Sequence, residues 1–355
     1  MSSKIPKTGT RSTVASSISS FLKNNPNLHL GGDVDFHSER RHHLEVFGFH
    51  RLPEEKQAPI GKVEFHAVRG PRGTVPIRLF YPKSVVDGGN DKVAALVYMH
   101  GGGYTVGSVD EFENGLRLVA EHSGAIVRLP PLLTPMPGLV LTMCKTIGVE
   151  YHLAPEHHFP TQLDDYSAVV EWAQGPEGAA RGISSDLVFG GGDSAGGNMT
   201  EALSLRRRDE GKKNIAGQLL LYPESRLPFD TPAAVENNSG YYLECNGIFS
   251  FADHYLPKAP EKTFPPSYKY VSPGMQDSGF LKNQPPAALF TCGFDPLRDV
   301  GVEYGSKLQE AGVEVHWHHY PELIHGFLQM APWSPEAMKA TIDVAHELKL
   351  MAYGS

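Results

Sequence analysis

Cysteine is scarce and no hydrophobic run is long. The 355 residues contain three cysteines, Cys144, Cys245 and Cys292. That is an odd number without the paired spacing of metal ligands, so neither a disulfide framework nor a structural metal site is expected, and a reducing compartment fits. No apolar stretch approaches the roughly 20 residues needed to cross a bilayer, and the N-terminus has no apolar core of a secretory signal. Basic residues are outnumbered: the net charge is −8 and no basic block stands out. Nucleic acid is therefore excluded as a partner, because neutralising phosphates needs a basic face. Low-complexity tracts are also missing. With 40% hydrophobic and 20% charged residues, the composition is that of an ordinary globular chain, long enough for one large domain with an appended lid. Acidic residues are absent before Asp33 while serines abound, as in a mitochondrial transit peptide. The preferred reading is a frayed tail entering an amphipathic helix at Val14–Lys23, in a cytoplasmic protein.

What is present is an alternation of strand and helix patterns. Lys62–Val68 and Ile77–Tyr81 alternate polar and apolar residues around a Gly-Pro turn, which predicts an antiparallel pair at a sheet edge. Ala94–Met99 is continuously apolar, as a strand buried on both faces would be. Similar runs occur at Leu187–Phe189, Gly217–Tyr222 and Ala287–Cys292, and Val313–His319 alternates as a strand nearer an edge. Helices are expected at Ala195–Arg208, at Val302–Glu310 before Gly312, and from Pro335 behind the N-cap Ser334. The pattern specifies an α/β fold with a mostly parallel sheet covered on both faces. Two stretches fall outside it. They are residues 1–60, ahead of a catalytic domain at 61–355, and an insertion at about 226–260 rich in aromatics (Tyr241, Tyr242, Phe249, Phe251, Tyr255). Both are expected to cap an active site, where a lid excludes water and supplies an apolar pocket.

Four motifs occur in a telling order. Gly192-Asp193-Ser194-Ala195-Gly196 matches G-x-S-x-G, a weak signal alone. Here a strand-like run precedes it and a helix follows, the context of a nucleophile elbow. Ser194 is the expected nucleophile, and it needs a base within hydrogen-bond reach. Among 17 histidines, His325 is distinguished by its place after the last strand and by the following Gly-Phe. Asp295, just beyond the strand Ala287–Cys292, is the expected acid that orients the histidine; its rival Asp299 falls inside the next helix. His100-Gly101-Gly102-Gly103 follows a buried strand, so its amides can face a developing oxyanion beside the amide of Ala195. His316 and His318 share a strand face without a partner cluster and read as solvated. Arg206-Arg207-Arg208 reads as an exposed helix end, where positive charge suits the helix dipole.

These motifs, with Tyr151-His152-Leu153-Ala154-Pro155-Glu156, resemble the hormone-sensitive-lipase-like branch of the α/β-hydrolases, which includes arylacetamide deacetylases and brefeldin A esterase. The resemblance covers the chain from about Val63 to the C-terminal helix. It implies an α/β-hydrolase fold with an eight-stranded, mostly parallel sheet and a helical cap. It further implies carboxylic ester hydrolysis without metal or organic cofactor, a triad of Ser194, Asp295 and His325, and oxyanion donors at Gly102, Gly103 and Ala195. His152 replaces the family's usual arginine and is read as a structural variation. The expected partner is a small or medium acyl ester, with homodimerisation left open and a role in secondary metabolism as one setting. The rival reading is a non-catalytic small-molecule receptor of the same fold, which the presence of His325 argues against.

One stretch departs from the resemblance. After Gly124-Ala125-Ile126 the chain interposes residues 127–145, with Pro130, Pro131, Pro135 and Pro137, and proline does not belong in a central strand. Joining Ile126 to Thr146 restores an apolar strand, so this segment reads as a translated intron. A genuine loop is the alternative, and an inactive product disrupted by the insertion is a further reading of function.

Overall fold

The structure is a computed structural model that describes residues 4–31, 35–88, 92–124, 143–258 and 263–354. Eight strands form one sheet: β1 (Lys62–Gly70), β2 (Gly73–Tyr81), β3 (Val93–Met99), β4 (Cys144–Val149), β5 (Ile183–Asp193), β6 (Gln218–Leu221), β7 (Ala287–Phe294) and β8 (Val315–Ile324). Their spatial order is β1-β2-β4-β3-β5-β6-β7-β8. The hairpin β1–β2 and the β2–β4 pair are antiparallel, and every other neighbouring pair is parallel. Each residue of β3 is buried, which is why that strand reads as an unbroken apolar run.

The longer helices are α1 (Ser16–Asn24), α2 (Phe36–Phe47), α3 (Val109–His122), α4 (Thr161–Gln174), α5 (Ala195–Asp209), α6 (Cys245–Tyr255), α7 (Arg298–Glu310) and α8 (Pro335–Tyr353). Local chemistry sets their ends. The Asp35 carboxylate accepts from the His37 and Ser38 amides at the start of α2, and the Ser334 hydroxyl accepts from Ala337 N–H at the start of α8.

Several expectations need correction. The N-terminal tail is docked rather than frayed. Ile5 is buried, Gly9 N–H donates to Asp299 Oδ1 at 3.0 Å, and the Ser12 and Ala15 amides donate to the carbonyls of Pro321 and Glu322. Arg207 is not part of an exposed helix end. It is buried, with its guanidinium on Lys213 O at 2.7 Å and Gln174 Oε1 at 2.9 Å, because the chain just after α5 and the end of α4 meet it there. His316 and His318 are tied rather than solvated: both bond the carboxylate of Glu347 on α8, at 2.7 and 2.9 Å.

The segment 127–145 lies outside the described residues except for Met143, Cys144 and Lys145. Cys144 and Lys145 belong to β4, paired with Ala94 and Ala95 of β3. The ladder continues past Thr146 because β3 offers partners there, and the lysine adapts to a central strand by running its stem past neighbours. Its ammonium lies 5.2 Å from the centre of the Tyr81 ring and donates to the carbonyls of Arg181 and Gly182.

Lys145 is 2% exposed, and burial pushes its ammonium down to about 8 from an ordinary 10.5. Between those values the unfolded chain binds more protons than the folded one, so stability rises with pH there. Urea unfolding of the wild type and Lys145→Met at pH 7.5 and pH 10 is expected to show the difference moving in favour of the wild type at the higher pH.

Candidate active site

Every motif residue singled out above lies at the carboxyl end of a parallel strand, the usual ligand-binding edge of an open α/β sheet. Strand register brings them together. Met99 at the end of β3 pairs with Gly192 of β5, and Asp193 pairs with Leu221 of β6. The loop beginning at His100 and the turn at Ser194 therefore emerge side by side.

Ser194 occupies the turn between β5 and α5 with φ 54° and ψ −120°, a left-handed conformation that side-chain-bearing residues rarely adopt. Its amide donates to Leu221 O at 2.9 Å. The turn requires very close backbone approach, since a Cβ on Gly196 would lie 1.9 Å from Met99 O. Only glycine fits there.

Asp193 joins the turn to the glycine loop. Its Oδ1 accepts from Tyr98 Oη and from Gly101 N–H, both at 2.8 Å. Burial pushes this carboxyl up to about 6, opposed by those two donors and by His325. His100 is packed between the rings of Phe112 and Tyr151, its Nδ1 on Gly101 O at 2.9 Å, and burial depresses its imidazole to about 4. It is thus a neutral buttress of the loop. Gly102 and Gly103 have φ values of 104° and 58°, and no described residue accepts from either amide. Ala195 opens α5, where helix geometry leaves amides without intrahelical partners.

Asp295 and His325 meet across β7 and β8. Asp295 Oδ2 lies 2.9 Å from His325 Nδ1, and Asp295 Oδ1 accepts from Leu297 N–H at 2.8 Å. Asp295 is 0% exposed and His325 1%. The carboxylate has only acceptor capacity, so Nδ1 carries the proton and Nε2 presents its lone pair. Nε2 is buried without a hydrogen-bond partner among the described residues. Asp299 instead accepts from the Gly9 and Ala233 amides and pairs with Arg298. A cavity of about 10 Å³ adjoins His325, lined by Gly101, Gly102, Phe112 and Tyr242 among others.

Some supporting residues carry no sequence signal. Asn237 Nδ2 donates to Gly293 O and Asp295 O, both at 3.2 Å, steadying the acidic loop. Tyr222, at φ 36°, sets its ring 4.7 Å from that of His325. His152, the departure from the family's arginine, bonds Asp165 through its ring at 2.8 Å and its amide at 3.0 Å. Among the described residues no group of three or more His, Cys, Asp or Glu is arranged to hold a metal ion, and no helix is long and apolar enough to cross a membrane.

Comparison with known proteins identifies the fold and the family. A family model described as the α/β-hydrolase fold matches residues 140–329. The chain is 31% identical over 303 residues to esterase LipI of Mycobacterium tuberculosis, covering 85% of this chain and 86% of that protein. It is 32% identical over 269 residues to carboxylesterase NlhH of the same species, covering 75% of each. A hyperthermophilic esterase from the archaeon Pyrobaculum calidifontis superposes with a TM-score of 0.80 at 27% identity, covering 96% of this chain and 99% of that one. The chain belongs to the α/β-hydrolase fold family, in its hormone-sensitive-lipase-like carboxylesterase branch, and is a serine ester hydrolase.

Proposed function

We propose that this ester hydrolase works through Ser194, His325 and Asp295 on small or medium acyl esters. The observation that carries the reading is the buried Asp295–His325 hydrogen bond, which leaves Nε2 as an unpartnered base. In this mechanism Ser194 Oγ attacks the ester carbonyl carbon while Nε2 takes its proton. The amides of Gly102, Gly103 and Ala195 hold the oxyanion of the tetrahedral intermediate. Collapse expels the alcohol, which takes the proton back from Nε2. A water molecule then repeats the sequence on the acyl-enzyme. Asp295 keeps the proton on Nδ1 and stabilises the imidazolium without itself being protonated.

Residues 1–60 and about 226–260 act together as the cap. Leu30 bridges to Leu243, with Leu30 N–H on Tyr242 O and Glu244 N–H on Leu30 O. Arg40 of α2 reaches Thr105 O at 2.7 Å and forms a bidentate pair with Glu156. These contacts support a roof assembled from both segments beside the glycine loop. Phe249 of the aromatic insertion lies outside the residues whose side chains are described.

Three outcomes test the reading. Ser194→Ala is expected to lower kcat for p-nitrophenyl butyrate by about 10⁴-fold or more in a stopped assay of the folded variant. Asp295→Asn is expected to lower kcat by about 10⁴-fold with KM little changed, because the amide favours the wrong tautomer. Asp193→Ala leaves the Tyr98 hydroxyl and the Gly101 amide buried without an acceptor, and urea midpoints are expected to fall by the equivalent of about 2–4 kcal/mol.

A further inference from the structure

His43 has no part in the chemistry above, yet it shares a cavity with His325. It lies on α2 and is 1% exposed. Its Nδ1 is 2.8 Å from the carbonyl oxygen of Glu39, one turn earlier on the helix. A carbonyl only accepts, so Nδ1 carries the ring proton and Nε2 presents a lone pair. Burial depresses the imidazole to about 4, so this neutral form persists at neutral pH. Nε2 is buried without a hydrogen-bond partner among the described residues. His325 is in the same condition, with Nδ1 on Asp295 and Nε2 unpartnered.

Both histidines line the cavity of about 10 Å³, together with Gly102. Tyr242, also on the lining, packs against both sides of it. Its ring centre lies 5.7 Å from that of His43. A Cβ on Gly326, the residue after His325, would stand 3.0 Å from the edge of the same ring. Glu111 lines another side, its carboxyl accepting from Ser108 Oγ at 3.1 Å. A space of about this size holds one water molecule, and it does so where two to four polar partners meet the water. Two lone-pair nitrogens on one small cavity call for a molecule with two O–H donors. Water has two, whereas a simple alcohol has one.

We infer that the cavity is the site of the water that attacks the acyl-enzyme, held between His43 Nε2 and His325 Nε2. The inference rests on the Ser194–His325 reading. The water oxygen bonds to the acyl carbon, the carbonyl electron pair moves onto the oxyanion, and one water proton passes to His325 Nε2. The other O–H stays bonded to His43 Nε2 and aims the oxygen lone pair at the carbon. Collapse breaks the bond to Ser194 Oγ, which takes the proton back from His325, and the acid leaves with the second O–H. His43 neither gains nor loses a proton. It is a positioning residue of deacylation alone, because acylation consumes no water.

The test uses p-nitrophenyl butyrate, whose activated leaving group favours fast acylation, in steady-state and stopped-flow assays. The full chain is compared with its His43→Phe, His43→Met and His43→Gln variants. The two apolar variants are expected to lower kcat by at least about tenfold. KM is expected to fall by the same factor, leaving kcat/KM within about twofold. A p-nitrophenol burst near one per chain accompanies the change and counts the chains that are folded and acylated. His43→Gln offers an amide oxygen as acceptor and is expected to retain most of kcat. A fall in kcat/KM that matches the fall in kcat, or an unchanged kcat in both apolar variants, overturns the role of His43 and leaves the triad standing. No Ser194-dependent turnover by the wild type overturns the triad reading and this inference with it.

Discussion

An offset in the β7–β8 ladder underlies the candidate site. Cys292 pairs with Tyr320, but two residues later Phe294 pairs with Ile324. Strand β8 therefore uses four residues where β7 uses two. In a regular ladder Asp295 would emerge opposite Leu323; the offset carries His325 to it instead. At this point Gly293 lies so close to β8 that a Cβ would stand 2.2 Å from Pro321 O. The carbonyl of Gly293 also accepts from Asn237 and from Arg298. Any side chain at 293 would push the strands apart and with them the buried carboxylate and imidazole. An irregularity beside a site, re-aiming one side chain, is a common use of such a bulge.

A second close approach complements the first. The turn at Ser194 rests on the end of β3, and the Asp193 carboxylate pins the glycine loop to the same place. The Ser194 turn and the glycine loop are thus tied into one piece, with the strain at Ser194 held by the buried strands around it. The segments before β1 and after β6 are joined differently, by the Leu30–Leu243 pairing, with Phe47 of α2 edge-on to Tyr242 at 6.0 Å.

Much of the fold was legible in the chain. Continuous apolar runs marked β3, β5, β6 and β7, because a strand covered on both faces has no polar side to show. Ser334-Pro335 marked the start of α8, because that chemistry is local. Less legible was anything settled by a distant partner. Arg207 reads as surface in a run of three arginines, yet it is buried because Lys213 O and Gln174 come to meet it. The tail before α1 has no strong pattern, and its docking depends on Asp299, Pro321 and Glu322 near the other end of the chain. Lys145 falls in the interposed stretch, and it is accommodated in β4 because Tyr81 and two carbonyls receive its head.

The sequence by itself determined the fold class and the order of the motifs, since strand and helix periodicity and the glycine-rich turns are properties of neighbouring residues. It also pointed to Ser194, Asp295 and His325 through their places after β5, β7 and β8. Only the tertiary structure decided the distance between Asp295 and His325 and the sharing of Asp193 between strand and loop. Those relations depend on register, on a ladder offset and on contacts between residues 30 to more than 200 positions apart, and no local pattern encodes them.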